Sequence, residues 1–180
     1  MKSIVSIPND VLTTPAHPVV QFDKHLGKLV DDMKTTLKGT KNPKGVGLAA
    51  PQIGLPLRLF ITRPKEESAI RVFINPEIIK TSDDQTDGVP ERENKLEGCL
   101  SIPKIWGKVK RAKTLLLRFQ DIQGVTREEE FIGFLATIIQ HETDHTNGIL
   151  FTQRVLEQKG RIYETRKDDE GKEVLEEIII

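Results

Sequence analysis

His141 and His145 stand four positions apart with Glu142 beside the first, in the run His141-Glu142-Thr143-Asp144-His145. On a helix this spacing puts two imidazoles on one face with a carboxylate next to them, the pattern of a metal site that carries its own base. Phe134 and Ile138 continue the same face upstream, so the imidazoles extend an apolar stripe and point inward. A helix of this kind can also be charged surface or packed interior. A third ligand decides between the readings, because two histidines alone do not hold a metal.

Three positions compete for that role. Gly148 continues a zinc-protease pattern, but Phe151 stands where its third histidine belongs. Glu164 lies where another protease class takes a glutamate from a following helix, yet Arg161 to Arg166 alternates like a strand. Cys99, the only cysteine, lies in Glu97-Gly98-Cys99-Leu100-Ser101, where Gly98 permits close backbone approach. A lone cysteine cannot close an intramolecular disulfide, and its ordinary fate is that of a small buried hydrophobe. Beside a two-histidine helix, however, a thiolate completes a three-ligand set with one open position. Cys99 is therefore taken ahead of Glu164. A metalloprotease using Glu164 and a noncatalytic protein stapled by its metal remain as alternatives; a base at Glu142 argues against the second.

The elements that must position these groups can be traced along the chain. Phe22, Leu26, Leu29, Val30, Met33 and Leu37 recur at helical spacing and close at Gly39 with Pro43 beyond, which predicts an N-terminal helix. Gly45 to Gly54 is a small-residue run ending in Gln52 and a turn, which would expose backbone amides; alone it would be a packing loop. Leu57 to Thr62, Arg71 to Ile74 and Ile78-Ile79 read as separate strands. Thr81 to Asn94 is polar and reads as an exposed loop whose charge is solvated. Val109 to Phe119 and Val125 to Phe131 flank a turn at Asp121-Ile122-Gln123-Gly124 and predict a hairpin. The helix carrying the histidines follows and stops at Gly148. Arg161 to Arg166 and Val174 to Ile180, about a turn at Asp168 to Gly171, predict a C-terminal β-hairpin, with Ile178 to Ile180 paired to the sheet or covering the core. The expected class is α+β, with mixed or antiparallel sheets around a central metal-binding helix.

The 180 residues, with 27 basic and 27 acidic side chains, suit one domain over 1–180 and give no bulk charge to attract nucleic acid or a membrane. The N-terminus has neither a secretory apolar run nor an arginine-rich transit pattern, and no stretch reaches transmembrane length. A cytoplasmic, reducing location is expected, and it suits a metal-bound thiolate. Glu97 is expected to fix its loop by an ion pair with Arg111. Asp144 would orient a histidine or, more ordinarily, sit on the helix surface. His17 and His25 read as ordinary polar residues on a loop and a helix.

Gly45-Val46-Gly47-Leu48-Ala49-Ala50-Pro51-Gln52-Ile53-Gly54, Glu97-Gly98-Cys99-Leu100-Ser101 and Gln140-His141-Glu142-Thr143-Asp144-His145 resemble, in order, the three signature motifs of peptide deformylases. The similarity runs from about Ile4 to Phe151. It implies hydrolysis of the N-formyl group of N-formylmethionyl nascent peptides with release of formate. One divalent ion would be held by Cys99, His141 and His145, ferrous iron in many members, with zinc, nickel or cobalt on the same ligands. Metal-bound hydroxide would be the nucleophile and Glu142 the general base, then acid. Gln52 and the Leu100 N–H would stabilise the oxyanion. Gly47 would let the peptide add as a strand, and Val46, Phe134 and Ile138 would accept the methionine side chain, although all three also read as plain core. Trp106 departs from the family, many members of which have a basic residue about there. A transient ribosome association is also implied, but members that make it do so through a C-terminal helix, which this tail does not resemble.

Overall fold

The apolar periodicity of the N-terminal segment forms α1 (Lys24–Gly39) in the computed structural model, which describes residues 2–41 and 43–179. Asp23 caps it by accepting from the His25 and Leu26 amides, satisfying donors that the first turn leaves free. Among the described residues nine strands follow in two sheets: β1 (Gly47–Ala49), β2 (Leu59–Thr62), β3 (Arg71–Thr81), β4 (Glu97–Cys99), β5 (Ile102–Gly107), β6 (Thr114–Gln120), β7 (Thr126–Ile132), β8 (Ile162–Lys167) and β9 (Glu173–Ile178). Two more helices, α2 (Gly133–Thr146) and α3 (Phe151–Glu157), lie between β7 and β8. One sheet runs β1-β2-β3-β6-β7 and the other β4-β5-β8-β9, and every strand pairing is antiparallel.

Leu59-Phe60-Ile61-Thr62 is buried along its whole length because β2 is covered on both faces. Strand side chains alternate, so Leu59 and Ile61 pack with α1 residues Val30, Met33 and Leu37, while Phe60 joins Phe73, Leu117, Phe119, Phe131 and α2 residues Ala136 and Ile139. Phe73 stacks on Phe60 with centroids 4.9 Å apart and meets Phe119 and Phe131 at 4.8 and 5.7 Å. A third cluster joins Cys99, Ile102, Val109, Phe151, Val155 and Ile162. α2 is thus enclosed by both sheets, which is why its polar C-terminal half, Glu142 to Thr146, is buried.

The structure corrects several expectations. Arg71 to Ile74 and Ile78-Ile79 belong to one strand, β3, carried past Pro76 by register shifts and by Asn75 at φ 50°; such bulges let a strand tolerate proline. The segment 81–94 is not merely solvated, since Thr86, Gly88 and Val89 are buried beneath it. α3 is too short for a clear periodic signal and is held by burial of Phe151 and Val155. The C-terminal hairpin forms as expected, with Gly171 at φ 78° in its turn. Its final apolar residues diverge: Ile178 pairs with Ile162 and packs against the third cluster, as expected, whereas Ile179 is 94% exposed and Ile180 lies outside the described residues. β9 is a sheet edge, and Glu173, Glu176 and Glu177 supply the charge that discourages further pairing there.

Phe73→Ala should destabilise the metal-loaded protein by about 3–5 kcal/mol in urea titration, whereas Leu175→Ala on the exposed hairpin should stay within about 0.5 kcal/mol.

Candidate metal centre

β4 and α2 build the centre from opposite sides. In a strand, residues two apart share a face, so Glu97 and Cys99 both turn toward α2 and are buried, while Gly98 between them lies against the Trp106 ring. On α2 the four-residue spacing aligns His141 and His145, whose rings lie edge to face with centroids 4.9 Å apart. The donor atoms of Cys99, His141 and His145 all fall within 4.8 Å of one another, and Cys99 Sγ lies 3.1 Å from His145 Nε2. α2 ends where expected, with Gly148 at φ 73° and its N–H donating to the His145 carbonyl.

Buried electrostatics prepares these groups for a cation. Glu97 Oε1 lies 2.6 Å from His141 Nδ1, which orients the ring and leaves Nε2 its lone pair for a metal. Burial opposes charge on Cys99, but the His145 and His141 imidazoles outweigh it and bring the thiol down to about 5. The sulfur also accepts from Gln52 Nε2 and the Ser101 amide, each at 3.4 Å. Burial likewise disfavours a charged His141, yet Glu97 and Cys99 raise its pKa well above the ordinary value. Surroundings that favour the Cys99 thiolate and a positive charge on His141 also favour a metal ion, which takes the place of the His141 proton. One thiolate and two imidazoles are a donor set for zinc, iron, cobalt or nickel.

Glu97 does more than the expected structural pairing. Its carboxylate accepts from Arg111 Nε and Nη2 at 2.9 and 2.7 Å, and Arg111 with His141 holds it ionised against burial, well below the usual carboxylate range. Arg111 Nη1 reaches Asp144 Oδ2 at 2.9 Å, and Arg154 Nη2 reaches Asp144 Oδ1 at 2.7 Å. Asp144 is therefore buried within an ionic chain, neither a surface carboxylate nor a histidine partner. Sequence inspection had a signal for Glu97 in its two-residue spacing from Cys99. It had none for Arg154, which arrives through α3.

Glu142 lies beside the cluster with Oε2 buried and, among the described residues, without a hydrogen-bond partner. Burial raises its pKa to about 7 against the pull of the two histidines. A Cβ at Gly47 would lie 2.3 Å from Glu142 Oε1, so the glycine makes room for the carboxylate. Gln52 is fixed in the 3-10 turn Ala50–Ile53, its Oε1 accepting from the Ala49 amide at 2.9 Å, which turns Nε2 toward Cys99 and Ser101. Val46, Gly47, Gln52, Leu100, Phe134, Ile138, His141 and Glu142 line one pocket, joined by Val89 and Arg92 from the 81–94 segment. Glu164 is elsewhere, in β8 opposite Ile105 and paired with Arg166 at 2.7 Å. His25 is exposed on α1, and His17 bridges to Leu57. No helix of the described residues is long and apolar enough to cross a membrane.

A family model described as polypeptide deformylase matches residues 1–161. The chain belongs to that family. Among similar deformylases, peptide deformylase 1 of Bacillus subtilis is 41% identical over 155 residues, covering 86% of this chain and 90% of its own. The peptide deformylase of Rhodopirellula baltica is 36% identical over 179 residues, covering 95% of this chain and 84% of its own. The crystal structure of the deformylase from Thermotoga maritima superposes with a TM-score of 0.76 at 35% identity, over 86% of this chain and 97% of that one. The deformylase fold and a metal-dependent hydrolase activity follow from these relationships, and they support formylated nascent peptides as substrates.

Glu97→Gln should weaken metal binding about 10–100-fold by loosening His141, measured by competition with a chromophoric chelator. Glu164→Ala should leave the affinity unchanged; loss of metal there would move the third ligand away from Cys99.

Proposed function

We propose that this deformylase hydrolyses the formyl amide of N-formylmethionyl nascent peptides as a single domain over residues 1–180, using Cys99, His141 and His145 as ligands of one divalent ion. The observation that carries the mechanism is Glu142: a buried carboxylate with one oxygen unpartnered, set against the three donors. A purely structural metal site has no use for a base there. Ferrous iron fits the donor set, and zinc, nickel or cobalt fit the same ligands. When bound, such an ion supplies Lewis acidity, polarising a carbonyl and lowering the pKa of water towards about 7.

The remaining work belongs to the protein. Glu142 takes the proton of the attacking water and delivers it to the departing amine, so that formate and a free amino terminus are released. Gln52 Nε2 and the Leu100 N–H donate to the formyl oxygen as negative charge develops on it, without burying a second charge. β1 is an edge strand of one sheet and β4 of the other, and the pocket lies between them. A peptide extended beside Gly47 would add to that free edge through main-chain hydrogen bonds. Val46, Phe134 and Ile138 offer an apolar wall for the methionine side chain. A reducing cytoplasm would keep Cys99 as a thiolate, and a nascent-chain substrate would bring the enzyme to the ribosome transiently.

Anaerobic assay of the ferrous protein with formyl-Met-Ala-Ser should release stoichiometric formate. Glu142→Ala should retain metal but lose about 10²–10⁴ in turnover; activity surviving that change would remove Glu142 from the mechanism. Gln52→Ala should lower kcat by about 10²–10³ at similar metal content.

A further inference from the structure

Arg92 is a half-buried cation that the mechanism leaves unused. Its guanidinium lies 5.2 Å from the Trp106 ring centroid, and Nη1 donates to the Leu96 carbonyl at 3.0 Å. Among the described residues it forms no ion pair. Burial disfavours its charge, and Glu97, which partly offsets this from a distance, is already engaged by Arg111 and His141. The Trp106 indole that supports it is itself fixed, with Nε1 donating to Thr165 Oγ1 at 2.7 Å and its ring against Gly98. A stacked guanidinium keeps its planar fork in one orientation, with donors to spare for a carboxylate.

Position gives this cation its meaning. Arg92 lines the pocket holding Glu142 and His141 and also a wider adjoining groove with Pro43, Lys44, Glu93, Asn94 and Trp106. Pro43, Lys44 and Arg92 are common to both, so the groove is open to a peptide whose formyl end lies at Glu142. Lys44 is already paired with Glu66 at 2.6 Å, and the acidic Glu93 lines the same groove. Discrimination therefore comes from direct contact rather than from steering by a net field.

We propose that Arg92, braced on Trp106, is a specificity-determining residue that binds a peptide carboxylate downstream of the formylmethionine. The carboxylate is an Asp or Glu side chain in a nascent chain, or the free C-terminus of a short peptide. This rests on the deformylase reading above. Asp should be preferred over Asn at the same position, and free acids over amides.

The test compares ferrous holoenzyme on formyl-Met-Asp-Ala amide against formyl-Met-Asn-Ala amide, on formyl-Met-Ala-Asp amide against formyl-Met-Ala-Asn amide, and on formyl-Met-Ala-Ser against its amide. In at least one pair the carboxylate should lower KM about tenfold with little change in kcat. The pair that responds identifies the source. Arg92→Gln should abolish that ratio within the responding pair, with an unchanged melting temperature showing that the fold is kept. Arg92→Lys, which keeps charge but loses the planar fork, should restore only part of it. Equal KM values within all three wild-type pairs, or an Arg92→Gln variant that loses activity equally on every peptide, would overturn the proposal. No formate from any peptide would overturn the deformylase reading and this proposal with it.

Discussion

A continuous run of charge, Arg154–Asp144–Arg111–Glu97–His141, largely buried and reaching solvent at Arg154, ties the histidine-bearing helix to the strand that carries Cys99. Its signs alternate, and the Arg111 fork meets Glu97 through two parallel hydrogen bonds, the arrangement that best compensates desolvation. Such an assembly is a weak source of net stability, because taking the charges out of water costs about as much as their attraction returns. Leaving one member without its partner is strongly unfavourable. The run therefore acts chiefly as a geometric constraint: α2 and β4 can approach in only one register, and in that register His141 faces the sulfur.

The constraint works because the two sheets share α2. Phe60, Phe73, Leu117 and Phe131 hold one flank of the helix in the five-stranded sheet, and Phe151 and Val155 brace the four-stranded sheet on the other side. β1 and β4 are left as unpaired edges facing the same cleft. Small residues keep that cleft open: Gly47 beside Glu142, and Gly98 beneath Trp106. The rigid framework determines where charge is held, and the open edges leave main-chain hydrogen-bonding groups beside the pocket.

Legibility from sequence followed the range of the interaction. α1, the β6–β7 hairpin and the C-terminal hairpin were readable because each is dictated by periodicity and turn chemistry within its own segment. The ligand residues were readable because helical spacing aligns His141 with His145 and because Cys99 has no competitor of its type. Pro76 hid the continuity of β3, since the bulge that accommodates it depends on pairing with β6. α3 was hidden because its two buried residues acquire meaning only against β4 and β5. The polar appearance of 81–94 concealed Val89 and Arg92, which the return of the chain toward β4 carries to the pocket.

From residue types and spacings alone came the family resemblance, the α+β class, the grouping of Cys99 with His141 and His145, and a carboxylate beside them at Glu142, since each depends on local geometry or on motifs of contiguous residues. Tertiary structure alone decided that Asp144 joins an ionic chain rather than water, that Glu97 orients His141, that Ile179 stays exposed, and that Arg92 stands on Trp106 beside the pocket. Those outcomes depend on burial and on partners distant in the chain. A side chain's charge is written in the sequence, but its energetic value depends on what folding places beside it.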